Sequence, residues 1–139
     1  MKITVKRIDT AAEMESAHKI RKEVFVEEQG ISMREEIDTF EDEATHILAC
    51  IDGVPVGTAR WRMTDSGLKL ERFAVLPDHR ELGVGKALLK YSLQANDTNQ
   101  RVYLNAQLDV IDFYKRYGFH VVGPQFLEAG ILHQKMVKK

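Results

Sequence analysis

Apolar and polar residues alternate at the start of the chain, where Ile3, Val5 and Ile8 stand against polar neighbours in the manner of a half-buried strand. The period then lengthens. Ala17, Ile20 and Val24 recur at helical spacing behind Thr10, which predicts a helix capped by Thr10, with Glu13 completing a capping box. Residues 29–44 (QGISMREEIDTFEDEA) are acidic and aperiodic, so a loop with one short helical turn is expected there. Strands follow over His46–Ile51 and Val54–Met63, joined by Asp52-Gly53, a pair suited to a tight hairpin turn. Asp65-Ser66-Gly67 turns the chain into a third run, Leu68–Leu76. After Gly83 the helical period returns (Val84, Ala87, Leu88, Tyr91, Ala95) and fades near Asn96. Arg101–Ala106 reads as a strand. Asp109 is placed to cap a helix bearing Val110, Phe113, Tyr114 and Tyr117, which Gly118 ends. Phe119–Val122 and Ile131–Val137 close the chain as strands. The order β-α-β-β-β-α-β-α-β-β predicts an α/β fold with a mixed sheet, in a single domain over 1–139.

Composition narrows the function classes. With 139 residues and 44% hydrophobic positions the chain can bury a real core. A net charge of −1 offers no basic field for nucleic acid. The single cysteine, Cys50, cannot form an internal disulfide and reads as a small buried strand residue rather than a nucleophile. No run approaches the roughly 20 apolar residues of a membrane helix. Met1-Lys2 leads straight into the first strand, so no leader peptide and a cytoplasmic location are expected. Neither HxxxH nor paired-cysteine spacing occurs, and no metal is expected.

The most informative stretch is Glu71 to Tyr91, ERFAVLPDHRELGVGKALLKY. An apolar run (Phe73, Ala74, Val75, Leu76) stops at Pro77, and Arg80-x-x-Gly83-x-Gly85 opens a helix. Glycine at both positions lets backbone N–H groups come close to a bulky anion, which the free N–H groups and dipole of a helix start then hold. A phosphate site at the mouth of a sheet is predicted. Leu88 stands where a GxGxxG fingerprint needs its third glycine, and the turn lies past mid-chain. Gly85-Lys86-Ala87 lacks the hydroxyl of a Walker loop. Both nucleotide-fold readings therefore fail.

The segment VLPDHRELGVGKALL resembles the acyl-coenzyme-A signature of the GNAT superfamily of N-acetyltransferases, whose core is Arg/Gln-x-x-Gly-x-Gly/Ala. A second signature follows in order: Leu104-Asn105-Ala106-Gln107, then Phe113-Tyr114-x-x-Tyr117-Gly118-Phe119. Arg21–Gln29 and Gly130–Met136 resemble a bacterial subgroup of small GNAT proteins, so the resemblance covers nearly the whole chain. It implies the GNAT fold, a mixed, mostly antiparallel twisted sheet of six to seven strands with helices on both faces. It also implies a V-shaped splay between two central parallel strands, here Leu68–Leu76 and Arg101–Ala106, that admits a pantetheine arm.

The resemblance also implies roles. Acetyl-coenzyme A would be the co-substrate, its pyrophosphate lying over the backbone N–H groups of Leu82, Gly83, Val84, Gly85 and Lys86. Arg80 would add a fixed charge with several donors, and Lys86 either joins it or stays solvated. The arm's amides would pair with the strand edge at Phe73, Ala74 and Val75, as a peptide adds to a sheet. A backbone N–H near Val75 is a candidate oxyanion donor. Asn105, with Gln107, would bond the cofactor or its water, or else satisfy loop backbone. Tyr114 would protonate the departing thiolate, or pack in the core as Phe113 and Tyr117 are expected to do. Glu71 would be the general base, with a carboxyl raised toward neutrality in a dry cleft, or else a cross-strand partner of Arg60 or Arg62. His46, His79, His133 and water are the other base candidates.

The acidic residues Glu27, Glu28, Glu35, Glu36, Asp38, Glu41, Asp42 and Glu43 read either as a field that draws a cationic amine or as a solvated loop. The expected reaction is direct acetyl transfer to a primary amine of a small acceptor in a ternary complex. A non-catalytic acyl-coenzyme-A sensor and a protein N-terminal or lysine acetyltransferase are the alternatives. Homodimerisation, common in the family, stays open.

Overall fold

The computed structural model describes residues 1–36, 38–97 and 99–139. The initial alternation forms strand β1 (Ile3–Arg7), and Thr10 caps helix α1 (Ala11–Arg21). The capping box is complete: Thr10 Oγ1 accepts from the Glu13 N–H at 3.1 Å, and the Glu13 carboxylate accepts from the Thr10 N–H at 3.2 Å. Instead of ending, α1 widens into a π-helical segment, Lys22–Glu28, where Val24 and Phe25 are both buried. A single turn, α2 (Met33–Glu36), is the only helix described in the acidic segment.

Strands β2 (Thr45–Ile51), β3 (Val54–Thr64) and β4 (Gly67–Val75) form a meander. Asp52 and Gly53 both take positive φ at its first hairpin. Helix α3 (Val84–Gln94) is followed by β5 (Val102–Gln107), helix α4 (Ile111–Lys115), β6 (Phe119–Glu128) and β7 (Ile131–Lys138). Two expectations need correction. Asp109 does not cap α4; a 3-10 turn over Leu108–Val110 leads into that helix, without a side-chain cap. And β6 runs to Glu128 rather than Val122, because a bulge between Val122 and Phe126 lets it resume pairing with β7.

The seven strands lie in the order β1-β2-β3-β4-β5-β7-β6. Alternate residues build two cores. Ile47, Ala59, Leu68, Leu70, Val102 and Leu104 pack with Val84, Leu88 and Leu89 of α3 and Tyr114 of α4. On the other face Leu48 and Ala74 pack with Ala17 and Ile20 of α1 and with Val24 and Phe25.

All pairings are antiparallel except β4 with β5, and that pair meets only at Leu68↔Val102 and Lys69↔Tyr103. Gly67 makes the junction: a Cβ there would stand 2.4 Å from the Arg101 carbonyl oxygen. Beyond Lys69 the strands part. β5 continues on its other side against β7, from Tyr103↔Val137 to Gln107↔His133. A V-shaped slot is left, closed at Gly67 and open toward Val75 and Gln107.

Candidate active site

One wall of the slot is the free edge of β4. Leu76 donates its N–H to Val56 on β3 at 2.9 Å, so the alternation along the strand turns the N–H and C=O of Val75 into the slot. A bulge lies just below. Arg60 pairs with Glu71 and Thr58 with Ala74, so Arg72 and Phe73 together face Ala59, and Arg72 takes φ 58°. The extra residue flips the alternation. Phe73 swings to the α3–α4 face beside the Tyr114 ring (centroids 6.2 Å apart), and Ala74 goes to the α1 face. Nothing in the apolar run from Phe73 to Leu76 marks this bulge, because it is a matter of register with β3.

The mouth is the turn before α3. Gly83, at φ 93°, begins the helix without a side-chain cap. Gly85 is explained differently. A Cβ there would meet only the Phe113 ring, at an ordinary 3.6 Å, so the protein's own packing does not demand glycine. Val84 is buried and Leu82 exposed.

Arg80 is not free. Its Nε donates to the Val75 carbonyl at 3.0 Å, and its two Nη groups grip Glu28 at 2.7 and 2.6 Å. That bonding holds the Glu28 carboxyl below its ordinary value. The next residue, Gln29, accepts from Gln107 Nε2 at 2.9 Å. Glu28 and Gln29 thus reach one arm of the V each.

Across the slot, Asn105 on β5 buries its Oδ1 without a partner. An orphaned acceptor of this kind fits an amide or water donor arriving between the strands. Tyr114 projects from α4 among Phe73, Phe113 and Phe119. It is 7% exposed, and burial alone pushes its phenol above its usual value, so it is a proton donor rather than an anion at neutral pH.

Glu71 takes the second of its two expected readings, a cross-strand partner of Arg60 and a partner of Arg62. Burial would raise its carboxyl, but Arg60 at 3.3 Å, Lys69 at 3.7 Å and Arg62 at 2.5 Å hold it below its ordinary value. It is a fixed anion and a poor base. The acidic segment divides: Glu27, Glu35, Asp42 and Glu43 are exposed, as a solvated loop would have them, while three others turn inward. Glu36 pairs with the buried Arg21, Glu41 with Arg21 and Arg60, and Asp38 with Arg60 and Arg72. These carboxylates fold inward to neutralise arginines instead of facing an acceptor. The signal was present in the strands: Arg60 and Arg62 alternate on a half-buried strand and require anions.

Similarity to known proteins agrees with this geometry. A family model described as an acetyltransferase (GNAT) domain matches residues 9–139. YjcF of Bacillus subtilis strain 168, named an uncharacterized N-acetyltransferase, is 42% identical over 129 residues, 91% of this chain and 92% of its own. An acyl-CoA N-acyltransferase from Pseudomonas aeruginosa superposes with a TM-score of 0.84 at 28% identity, covering 99% of each chain. A GNAT family acetyltransferase from Elizabethkingia anophelis, solved with acetyl-CoA bound, shares the fold at a TM-score of 0.71 and 16% identity, over 97% of this chain and 94% of its own.

Proposed function

The chain belongs to the GNAT acetyltransferase family and is an acetyl-coenzyme-A-dependent acyltransferase, and from that premise we propose that it transfers the acetyl group directly to a primary amine of a small acceptor. The observation that carries this reading is the slot: two parallel strands joined at two residue pairs, with a free β4 edge on one side and, on β5, an Asn105 whose buried Oδ1 has no partner.

Acetyl-coenzyme A, bound there, supplies an activated thioester. The chain's own groups do the rest. Along the β4 edge at Phe73, Ala74 and Val75, the Val75 N–H is available to an amide-bearing arm or a carbonyl oxygen, and the Val75 C=O becomes so once Arg80 leaves it. The N–H groups of residues 82–86 and the start of α3 receive phosphate, as does Arg80 once it leaves Glu28. Asn105 Oδ1 accepts an N–H. As the acceptor nitrogen bonds to the acyl carbon the C–S bond breaks, and the Tyr114 phenol gives its proton to the sulfur. Glu71 is a positioning residue that holds Arg60, Arg62 and Lys69 beside the slot. Direct transfer is favoured because Cys50 is partly buried with its thiol raised, first by burial, and so is no ready nucleophile.

Calorimetric titration with acetyl-coenzyme A, followed by thiol release in the presence of amines, tests the reading. Micromolar binding and amine-dependent thiol release are expected. Absence of binding by the intact protein would overturn it, and binding without transfer to any amine would point to a sensor.

A further inference from the structure

Transfer from a thioester to an amine leaves one proton without a destination. The nitrogen reaches the active site mostly as an ammonium, and something at the acceptor side must take its proton. Glu71 is held by three cations. Glu28 is held by Arg80, at the phosphate end of the slot. The chain has five histidines. His18 is bonded to Glu41 at 2.7 Å. His46, on β2, has its Nε2 engaged with the Glu41 carbonyl at 2.8 Å, and burial pushes its ring toward the neutral form. His79 lies in the turn past Pro77. His120 pairs with Val137, opposite Tyr103, at the closed end of the V.

His133 differs. Register places it in one row with Gln107 of β5 and Phe126 of β6, at the open end of the slot. Gln107 bonds Gln29, so this row faces the side covered by α1 and the segment after it. Tyr114 and Phe73 meet on the opposite side. The phenol and the imidazole thus lie on opposite faces of the sheet, the imidazole one strand behind β5 in the row of Gln107 at the open end of the slot.

The ring is also set for the task. Its Nδ1 lies 2.7 Å from the Ile131 carbonyl, which can only accept, so the proton of the neutral ring sits on Nδ1 and Nε2 keeps its lone pair. Phe126 stacks on the ring at 6.0 Å and 25°, and the residue is 7% exposed. Glu128 Oε2, from β6, stands 3.5 Å from Nε2. The other charge on this face of β7 is Lys135, two residues along; β5 contributes neutral Asn105 and Gln107, and the covering segment neutral Gln29.

We propose that His133 is the general base of the transfer, its Nε2 taking the proton of the acceptor nitrogen. The inference rests on the acetyltransferase reading above. The ammonium first gives one proton to Nε2, which frees the nitrogen lone pair, and His133 passes that proton to solvent. As the N–C bond forms the C–S bond breaks, and Tyr114 protonates the sulfur. The second N–H proton leaves as the amide forms and Tyr114 is reprotonated, so from the ammonium the net change is one proton to the thiol and one to solvent.

The test pairs His133→Gln with two readouts. Thiol release from acetyl-coenzyme A, with spermidine, glucosamine and lysine as amines, should fall by about 10²–10⁴-fold in the variant. The acidic limb of kcat/KM should vanish, while acetyl-coenzyme A affinity stays within about twofold. Independently of any amine, imidazole nitrogen shifts of the labelled wild type, assigned by difference from His133→Gln, should show protonated Nδ1 and bare Nε2 in the neutral ring. A wild type that does not bind acetyl-coenzyme A would sink the acetyltransferase reading. A wild type that binds, but whose His133 carries the proton on Nε2 or whose His133→Gln variant keeps its turnover and pH limb, would sink this proposal alone.

Discussion

Glu41→Gln removes the charge at the centre of the buried ion cluster. One Glu41 oxygen meets Arg60 Nη1 at 2.7 Å and Arg21 Nη2 at 2.8 Å; the other meets His18 at 2.7 Å and Arg21 Nη1 at 2.9 Å. Both arginines are 1% exposed. Burial would raise the Glu41 carboxyl, but Arg21 and His18 draw it from 4.5 to about 2. At about 1.4 kcal/mol per tenfold change this corresponds to roughly 3 kcal/mol, and screening at its solvent edge lowers that to about 2. Leaving two buried guanidinium groups short of a counter-charge argues for somewhat more, about 3–5 kcal/mol. A loss of about 2–4 kcal/mol at pH 7 is expected. The folded-state value is the depressed one, so the stabilisation is complete above pH 4.5 and disappears as pH falls toward 2. The gap between wild type and variant should close across that window. Urea unfolding followed by Trp61, the single tryptophan and 5% exposed, measures it. A gap under about 0.5 kcal/mol at pH 7, or one indifferent to pH, would refute the view that these carboxylates hold the 29–44 segment down.

Three further outcomes probe the slot. Tyr114→Phe should lower kcat by about 10²-fold or more with acetyl-coenzyme A affinity unchanged, as thiol-release kinetics and calorimetry will show; equal loss of both would make Tyr114 a binding or packing residue. Gly85→Ala should leave thermal stability equal or raise it by up to about 1 kcal/mol, since the new methyl meets only Phe113, and yet weaken coenzyme A binding by crowding the phosphate approach. Glu28→Gln frees Arg80 from a half-exposed pair of about 0.2–1 kcal/mol, so coenzyme A should bind up to about fivefold more tightly; weaker binding would mean that Glu28 aligns Arg80 rather than competing for it.

Much of this was open to inspection in the chain itself. The strand and helix periods, the Thr10 capping box, the Asp52-Gly53 hairpin and the glycine turn at Gly83 depend on residues within a few positions of one another. Short-range sterics, hydrogen bonding and hydrophobic alternation decide them before any long-range contact forms. What the residue order could not express was which distant groups would meet. Arg80 and Glu28 are 52 residues apart, and Gln107 and Gln29 are 78 apart. The bulge that turns Phe73 toward Tyr114 exists only relative to β3. The charge state of Glu71 depends on three cations that strand pairing brings to it, and Glu36, Asp38 and Glu41 turn inward only because Arg21 and Arg60 are buried beneath them. Local conformation is written in near neighbours. Proton affinity and site geometry come from groups the fold brings together, and those are legible only when the strands are in register.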